Sequence, residues 1–259
     1  MSAMPGPGRY RVPVLGCALA ILLASGCARQ SETPPSLPGD LVPAGTALGA
    51  GAIVGRVLYR GPVIASESIS MQSDAFCHQS HAEPSRPEDL IVEPDGALRN
   101  AFVRVASGMD RKFAPPAAPV TLDQRGCLYQ PRVAGMQVGQ PLHILNSDAT
   151  LHNVHTTSQA NPSFNFGMTL QGQGATRYFH AEEVMIQVRC NVHSWMTAFI
   201  GVLWHPFFDV TADGGRFAMR SLPAGEYVVE AWHERLGAIR RAVTLGPDET
   251  AEIILEFSE

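Results

Sequence analysis

Seven consecutive residues in the second half of the chain, Cys190-Asn191-Val192-His193-Ser194-Trp195-Met196, read C-x-x-H-x-x-M. A thiol, an imidazole and a thioether so closely spaced suit a single soft metal ion. An electron-transfer copper takes one thiolate, two imidazoles and a weak thioether. Val184, Ile186, Val188 and Cys190 alternate with Met185, Gln187 and Arg189, so Cys190 ends a strand with its sulfur on the inward side. A tight loop then returns His193 and Met196 to the same point in space. The remaining donor must come from a neighbouring strand. Upstream, Asn146-Ser147-Asp148-Ala149-Thr150-Leu151-His152-Asn153-Val154 supplies His152, with His155 three residues further on. Residues three apart on a strand point to opposite faces, so one of the two histidines can face the metal. Zinc suits the set poorly, because Met is a weak zinc ligand and no Cys/His tetrad is present.

The elements that must position these donors read as short strands. Of 259 residues, 45% are apolar and 17% charged, enough to bury one or two cores. Twenty-four Gly and twenty Pro fit a turn-rich β chain better than a helical one. Strands are expected over residues 53–59, 97–105 after the Asp95-Gly96 turn, 127–138, 141–145, 151–156, 184–190 and 197–204, the last apolar on both faces and therefore central. A short helix is expected over 84–90. Beyond Phe208, the turns Asp213-Gly214-Gly215 and Pro223-Ala224-Gly225 introduce strands over 216–219 and 226–232, followed by 239–245 and 250–257. Many short strands at this spacing indicate sandwiches or barrels. The formal net charge of −5, with no basic patch, argues against a nucleic-acid partner.

The paired segments around His152 and Cys190 closely resemble a cupredoxin, a blue (type 1) copper protein, with the short amicyanin form of the ligand loop. The resemblance covers roughly residues 141–202. It implies one type 1 copper bound by His152, Cys190, His193 and Met196. The family's His-Asn pair matches His152-Asn153, which selects His152 over His155 and makes Asn153 the residue that ties the ligand strand to the cysteine loop. The C-terminal run DGGRF…LPAGEYVVEAWHE resembles a carboxypeptidase regulatory-like (transthyretin-type) module, whose opening strand G-x-V-x-Y-x-G matches Gly55 to Gly61. The implied fold class is all-β: a cupredoxin Greek-key β-sandwich followed by a small transthyretin-like, carboxypeptidase regulatory-like β-sandwich. This combination resembles methylamine-utilisation-like proteins, which does not establish methylamine as a pathway.

The start of the chain reads as an address. Arg9 and Arg11 precede a short apolar stretch over 12–24, and Leu23-Ala24-Ser25-Gly26-Cys27 resembles the lipobox of bacterial lipoproteins. The expected organisation is a lipoprotein signal peptide over 1–26, a flexible tether over 27–50 lipidated at Cys27, a copper domain over 51–206 and a regulatory-like β domain over 207–259. The strand over 53–60 is able to join either domain. Ala28, rather than aspartate, after the lipid site resembles outer-membrane sorting, so the expected location is a periplasm-facing lipoprotein attached by its lipid alone. With Cys17 in the signal, Cys27 lipidated and Cys190 on copper, Cys77 and Cys127 remain. In an oxidising periplasm two spare thiols usually pair; two free thiols, or a metal held by Cys77 and His81, are the alternatives. His78, His81, His143, His180, His205 and His233 read as structural. Glu230, Trp232, His233 and Glu234 read as a strand end or a docking edge.

Three functions follow as expectations. The first is an envelope electron carrier cycling Cu(II)/Cu(I) with an unknown periplasmic redox protein, a cytochrome or dehydrogenase-like partner. The second is a non-redox copper-binding or delivery lipoprotein. The third, an enzyme, lacks support. No His-x-His pair serves extra copper centres, Ser194 stands where a binuclear copper centre needs a second cysteine, and no catalytic triad is apparent.

Overall fold

The computed structural model describes residues 1–3, 30–62 and 67–258. Cys27, and all but the first three residues of the expected signal, lie outside the described residues.

The chain is nearly all β. In order the strands are β1 (Gln30–Ser31), β2 (Gly51–Tyr59), β3 (Phe102–Ser107), β4 (Val120–Arg125), β5 (Leu128–Gln130), β6 (Val133–Gln137), β7 (Leu142–Asn146), β8 (His152–Thr157) and β9 (Asn165–Met168). There follow β10 (Gln173–Arg177), β11 (Glu183–Arg189), β12 (Thr197–Leu203), β13 (Phe208–Val210), β14 (Arg216–Leu222), β15 (Gly225–His233), β16 (Gly237–Leu245) and β17 (Thr250–Phe257). Among the described residues the α-helix is α1 (Ala75–Gln79), not the expected 84–90, which is irregular; Asp74 supplies the N-cap that fixes it. No helix among the described residues is long and apolar enough to cross a membrane.

Four sheets form two sandwiches. In the first, β1-β10-β7-β4-β5 faces β6-β12-β11-β8-β9. Its core holds Leu122, Tyr129, Met136, Ile144, Val154, Ile186, Val188, Cys190, Met196 and Ile200. The alternation over 184–190 therefore does what a half-buried strand must: Ile186, Val188 and Cys190 turn inward. β12 is central, between β6 and β11.

In the second sandwich, β13-β3-β15-β16 faces β14-β2-β17 around Ile53, Val57, Val103, Phe217, Val229, Leu255 and Phe257. The strand over 53–60, left open between the two domains, joins this one, and β3, expected in the copper domain, corrects the boundary at 206/207. β2 pairs from Ala52 to Tyr59 with β17, in parallel, and from Gly51 to Arg56 with β14, antiparallel. β3 pairs with β13 and β15. Both lie far upstream, yet their apolar faces complete the C-terminal core and not the copper-domain one. The strand expected from 97 begins only at Phe102, because Asn100 adopts a positive φ of 59° and interrupts the extended run.

The described part of the expected tether, residues 30–50, is also corrected. β1 adds in parallel to β10, the Val42 N–H donates to the Lys112 carbonyl at 2.9 Å, and the Leu48 N–H donates to the Ser221 carbonyl at 3.1 Å. Val42 and Leu48 pack on the second core and Leu37 on the first. A Pro/Gly-rich composition does not reveal this backbone pairing.

The sandwiches dock through Phe102, Val133 and Leu203, with Phe199, Phe208 and Trp232 around them. Gly135 and Gly201 are cross-strand partners in β6 and β12. A Cβ on Gly201 would lie 2.4 Å from the Phe102 ring, and one on Gly135 would lie 2.4 Å from the Phe208 ring. Two bare backbones thus open the slot that the aromatic rings fill. At the rim, the Arg132 guanidinium donates to Glu234 at 2.7 Å.

Candidate metal centre

The ligand loop runs from the end of β11 to the start of β12. The Cys190 N–H donates to the Met196 carbonyl at 3.2 Å, and the Met196 N–H donates to the His193 carbonyl at 3.0 Å. This double closure turns the chain within seven residues and leaves Cys190, His193 and Met196 buried in one core cluster or at its edge. His152 begins β8, on the adjacent strand of the same sheet, and is fully buried. Val154 and Thr156 share its inward face, whereas His155 faces outward and meets Asn191 Oδ1 at 3.1 Å.

His152, Cys190 and His193 each offer a donor atom within one group that could hold a metal ion. His152 Nδ1 and His193 Nδ1 are 3.1 Å apart, and Cys190 Sγ is 3.9 Å from His193 Nδ1. The outer nitrogen of each ring is engaged by a carboxylate. His152 Nε2 lies 2.9 Å from Asp148 Oδ2, and His193 Nε2 lies 3.3 Å from Asp74 Oδ2. A carboxylate accepts, so it selects the Nε2–H tautomer and leaves an Nδ1 lone pair turned inward. Two lone pairs and a sulfur thus converge on one point, an arrangement that favours a cation. Met196 is buried in the same cluster as Cys190 and supplies a thioether to that core. The donor set fits a soft ion.

Electrostatics support the thiolate. Burial alone raises the Cys190 pKa, but hydrogen bonds with His152 and His193 and the backbone N–H groups of His193 and Asn153 bring it down to about 5. Those N–H groups lie 3.4 and 3.3 Å from Sγ. Burial disfavours a charged His152, yet the bond to Asp148 and the nearby Cys190 sulfur raise its pKa to about 8, so at neutral pH the metal-free ring carries on Nδ1 a proton that a bound cation would displace. Tyr129 is raised by burial and by the Cys190 charge, so its phenol stays neutral and donates to the Asn153 carbonyl.

Asn153 links the two ligand segments. Its Oδ1 accepts from the Asn191 N–H at 3.2 Å, and its Nδ2 donates to the Phe166 carbonyl at 3.1 Å. Trp195 packs on His193 with ring centroids 5.0 Å apart and donates its indole N–H to the Cys127 carbonyl at 3.0 Å.

Two supports escaped the sequence reading. Asp148 accepts from the Gly126 and Cys127 N–H groups at 2.8 and 2.7 Å while holding His152. Those two residues are the turn between β4 and β5, with φ of 60° and 56°. Positive φ at both central positions makes the tight hairpin turn, and Gly at the first relieves half of its cost. The i,i+4 spacing of Asp148 and His152 was available as a signal. Asp74, 119 residues from His193, carried none. Cys77 and Cys127 are joined as a disulfide. His81 sits against the Gly126 carbonyl at 2.7 Å, and His205 and His233 are buried. Of the two readings of residues 230–234, the strand end holds and the docking edge does not: β15 ends at His233, Glu230 is buried and accepts from Arg104 and Arg240, and Trp232 packs on Phe199.

The fold and site together define an all-β, two-sandwich chain with a buried His/Cys cluster able to hold a metal ion. Among solved structures, the chain is similar to a copper-containing nitrite reductase (NirK) from Thermus scotoductus SA-01, at 22% identity and a TM-score of 0.32, over 40% of this chain and 26% of that one. It therefore spans about a quarter of that reductase chain. It is also similar to mutants of amicyanin: one in the Cu(I) state at 18% identity and one oxidised at 19%, each with a TM-score of 0.30 over 39% of this chain and 97% of the other. No protein-family model matches the chain, and no curated protein does.

Proposed function

We propose that the chain is a cupredoxin-like carrier of single electrons, binding one copper ion through His152, Cys190, His193 and Met196. The observation that carries this reading is the facing pair of Nδ1 atoms, 3.1 Å apart, beside the Cys190 sulfur. A bound copper would supply a one-electron Cu(II)/Cu(I) couple. The chain's own residues supply the rest. Cys190 gives a soft anionic donor, and two backbone N–H groups stabilise it. His152 and His193 are held from behind by carboxylates, so their inward nitrogens stay aimed at one point. Burial excludes water. A site clamped from several sides rearranges little between oxidation states, which favours rapid electron exchange.

On this reading the protein is a carrier and not an enzyme, and its partner is a periplasmic redox protein such as a cytochrome or dehydrogenase. The lipobox-like sequence ending at Cys27 supports a lipid anchor at the outer membrane. The alternative of an exchangeable copper-delivery site is disfavoured by the full burial of His152 and Met196. Copper titration of the purified protein tests the proposal: an intense thiolate-to-copper absorption band is expected to saturate at one equivalent. A colourless one-to-one complex, or no complex, would overturn it.

A further inference from the structure

His193 is held by a segment that belongs to neither of its neighbouring strands. The chain leaves β2, in the second sandwich, crosses to the first sandwich and returns to β3. On the way it forms α1 and places Asp74 and Cys77 against the metal centre. The two oxygens of Asp74 divide their work. Oδ1 accepts the Cys77 N–H at 2.9 Å and caps α1. Oδ2 meets His193 Nε2 at 3.3 Å and accepts from Thr150 Oγ1 at 3.2 Å. Cys77 Sγ lies 3.6 Å from the same imidazole nitrogen and is bonded to Cys127. Trp195 covers the ring, and His193 is left only 2% exposed. An N-cap needs one oxygen; the second is aimed at the site.

We propose that Asp74 is a positioning residue for the ligand His193, and that the Cys77–Cys127 disulfide tethers the strap that carries it. The inference rests on the copper reading above. Asp74 fixes the Nε2–H tautomer of His193 and keeps Nδ1 pointed inward. Its negative charge on the far side of the ring makes Nδ1 a stronger donor and favours the more highly charged oxidation state of the metal. The tether keeps this imidazole sealed, so copper exchanges slowly.

The test uses the purified full chain loaded with one equivalent of copper. Asn caps helices as well as Asp, so Asp74→Asn keeps α1 while removing the charge. The thiolate-to-copper band is expected to persist in Asp74→Asn, with the Cu(II)-over-Cu(I) affinity ratio lowered about tenfold, equivalent to about 59 mV for a one-electron couple. Asp74→Glu is expected to recover part of the shift. In the double variant Cys77→Ala/Cys127→Ala, removal of copper by a chelator is expected to accelerate about tenfold or more. An affinity ratio in Asp74→Asn within twofold of the parent, even with reduced thermal stability, would make Asp74 a helix cap only and overturn the positioning role. An unchanged chelation rate in the double variant would overturn the tether. Loss of the absorption band in the parent protein itself would instead remove the copper reading, so the two failures are separable.

Discussion

Asp148 holds His152 by its outer nitrogen at 2.9 Å while the same carboxylate clamps both N–H groups of the Gly126-Cys127 turn. A ligand on one sheet of the first sandwich is thereby fixed by a hairpin turn on the other. Burial pushes the Asp148 pKa up, but the bonds from His152, Cys127 and Gly126 outweigh it and leave the carboxyl below its ordinary value. The acid is therefore charged at neutral pH. Replacing Asp148 by Ala strands two backbone donors and an imidazole N–H in a buried place. The expected result is a stability loss of about 3 kcal/mol and a 10–100-fold loss of metal affinity, read by denaturant unfolding of the apo protein and by competition with a chelator.

The two histidines of β8 should separate cleanly. His152 faces the core and His155 faces outward against Asn191. Cys190→Ser and His152→Ala are expected to abolish the thiolate-to-copper band, whereas His155→Ala should leave its position and intensity nearly unchanged. Spectra of the three variants at equal copper loading check this. A band lost in His155→Ala would reassign the ligand.

The disulfide closes a loop of 50 residues and joins α1, on the segment between β2 and β3, to the β4–β5 turn. The loop-entropy relation gives about 4 kcal/mol for such a closure. Unfolding by urea with and without a dithiol reductant is expected to show a lowered midpoint on reduction. Coincident curves would show that the crosslink contributes little.

Gly201 and Gly135 clear the slot for Phe102 and Phe208. Gly201→Val puts side-chain atoms where the Phe102 ring lies, and overpacking of this kind costs about 1–3 kcal/mol or more. The docking of the sandwiches should weaken while the ligand loop, at the other end of β12, survives. Limited proteolysis is expected to cut the variant between the sandwiches, with copper binding retained.

Acid should destabilise the protein through His205 and His233. Burial is the main cause lowering both to about 4, aided at His205 by Arg104 and at His233 by Arg132 and Arg235, with Asp89 opposing. In each, Nδ1 already accepts a backbone N–H, from Phe207 and from Arg235, so an added proton has no place. An unfolded histidine titrates near 6.5. Between about pH 6.5 and 4 the unfolded chain therefore binds protons that the folded chain refuses, and stability falls as the pH falls. Each group contributes roughly 3 kcal/mol over that window. Denaturation at pH 7 and pH 5 is expected to show the loss, and His205→Gln, compared with the parent at both values, should show less of it.

The sequence alone determined what is local. Three donors within seven residues, and an alternating strand that turns Cys190 inward, follow from the two-residue period of a strand and from the chemistry of thiolate, imidazole and thioether. Strand after strand was legible for the same reason. Five strands were not: β1, β4, β9, β10 and β13 are short or carry mixed polarity, and their pairing is set by neighbours instead of by their own pattern. Only the tertiary structure assigned β2 and β3 to the C-terminal core, laid residues 30–50 across both sandwiches, and brought Asp74 to His193. These depend on which apolar faces find each other and on contacts across more than a hundred residues. Composition and spacing hold no record of such distances, because the chain can satisfy one strand's pattern with many different partners.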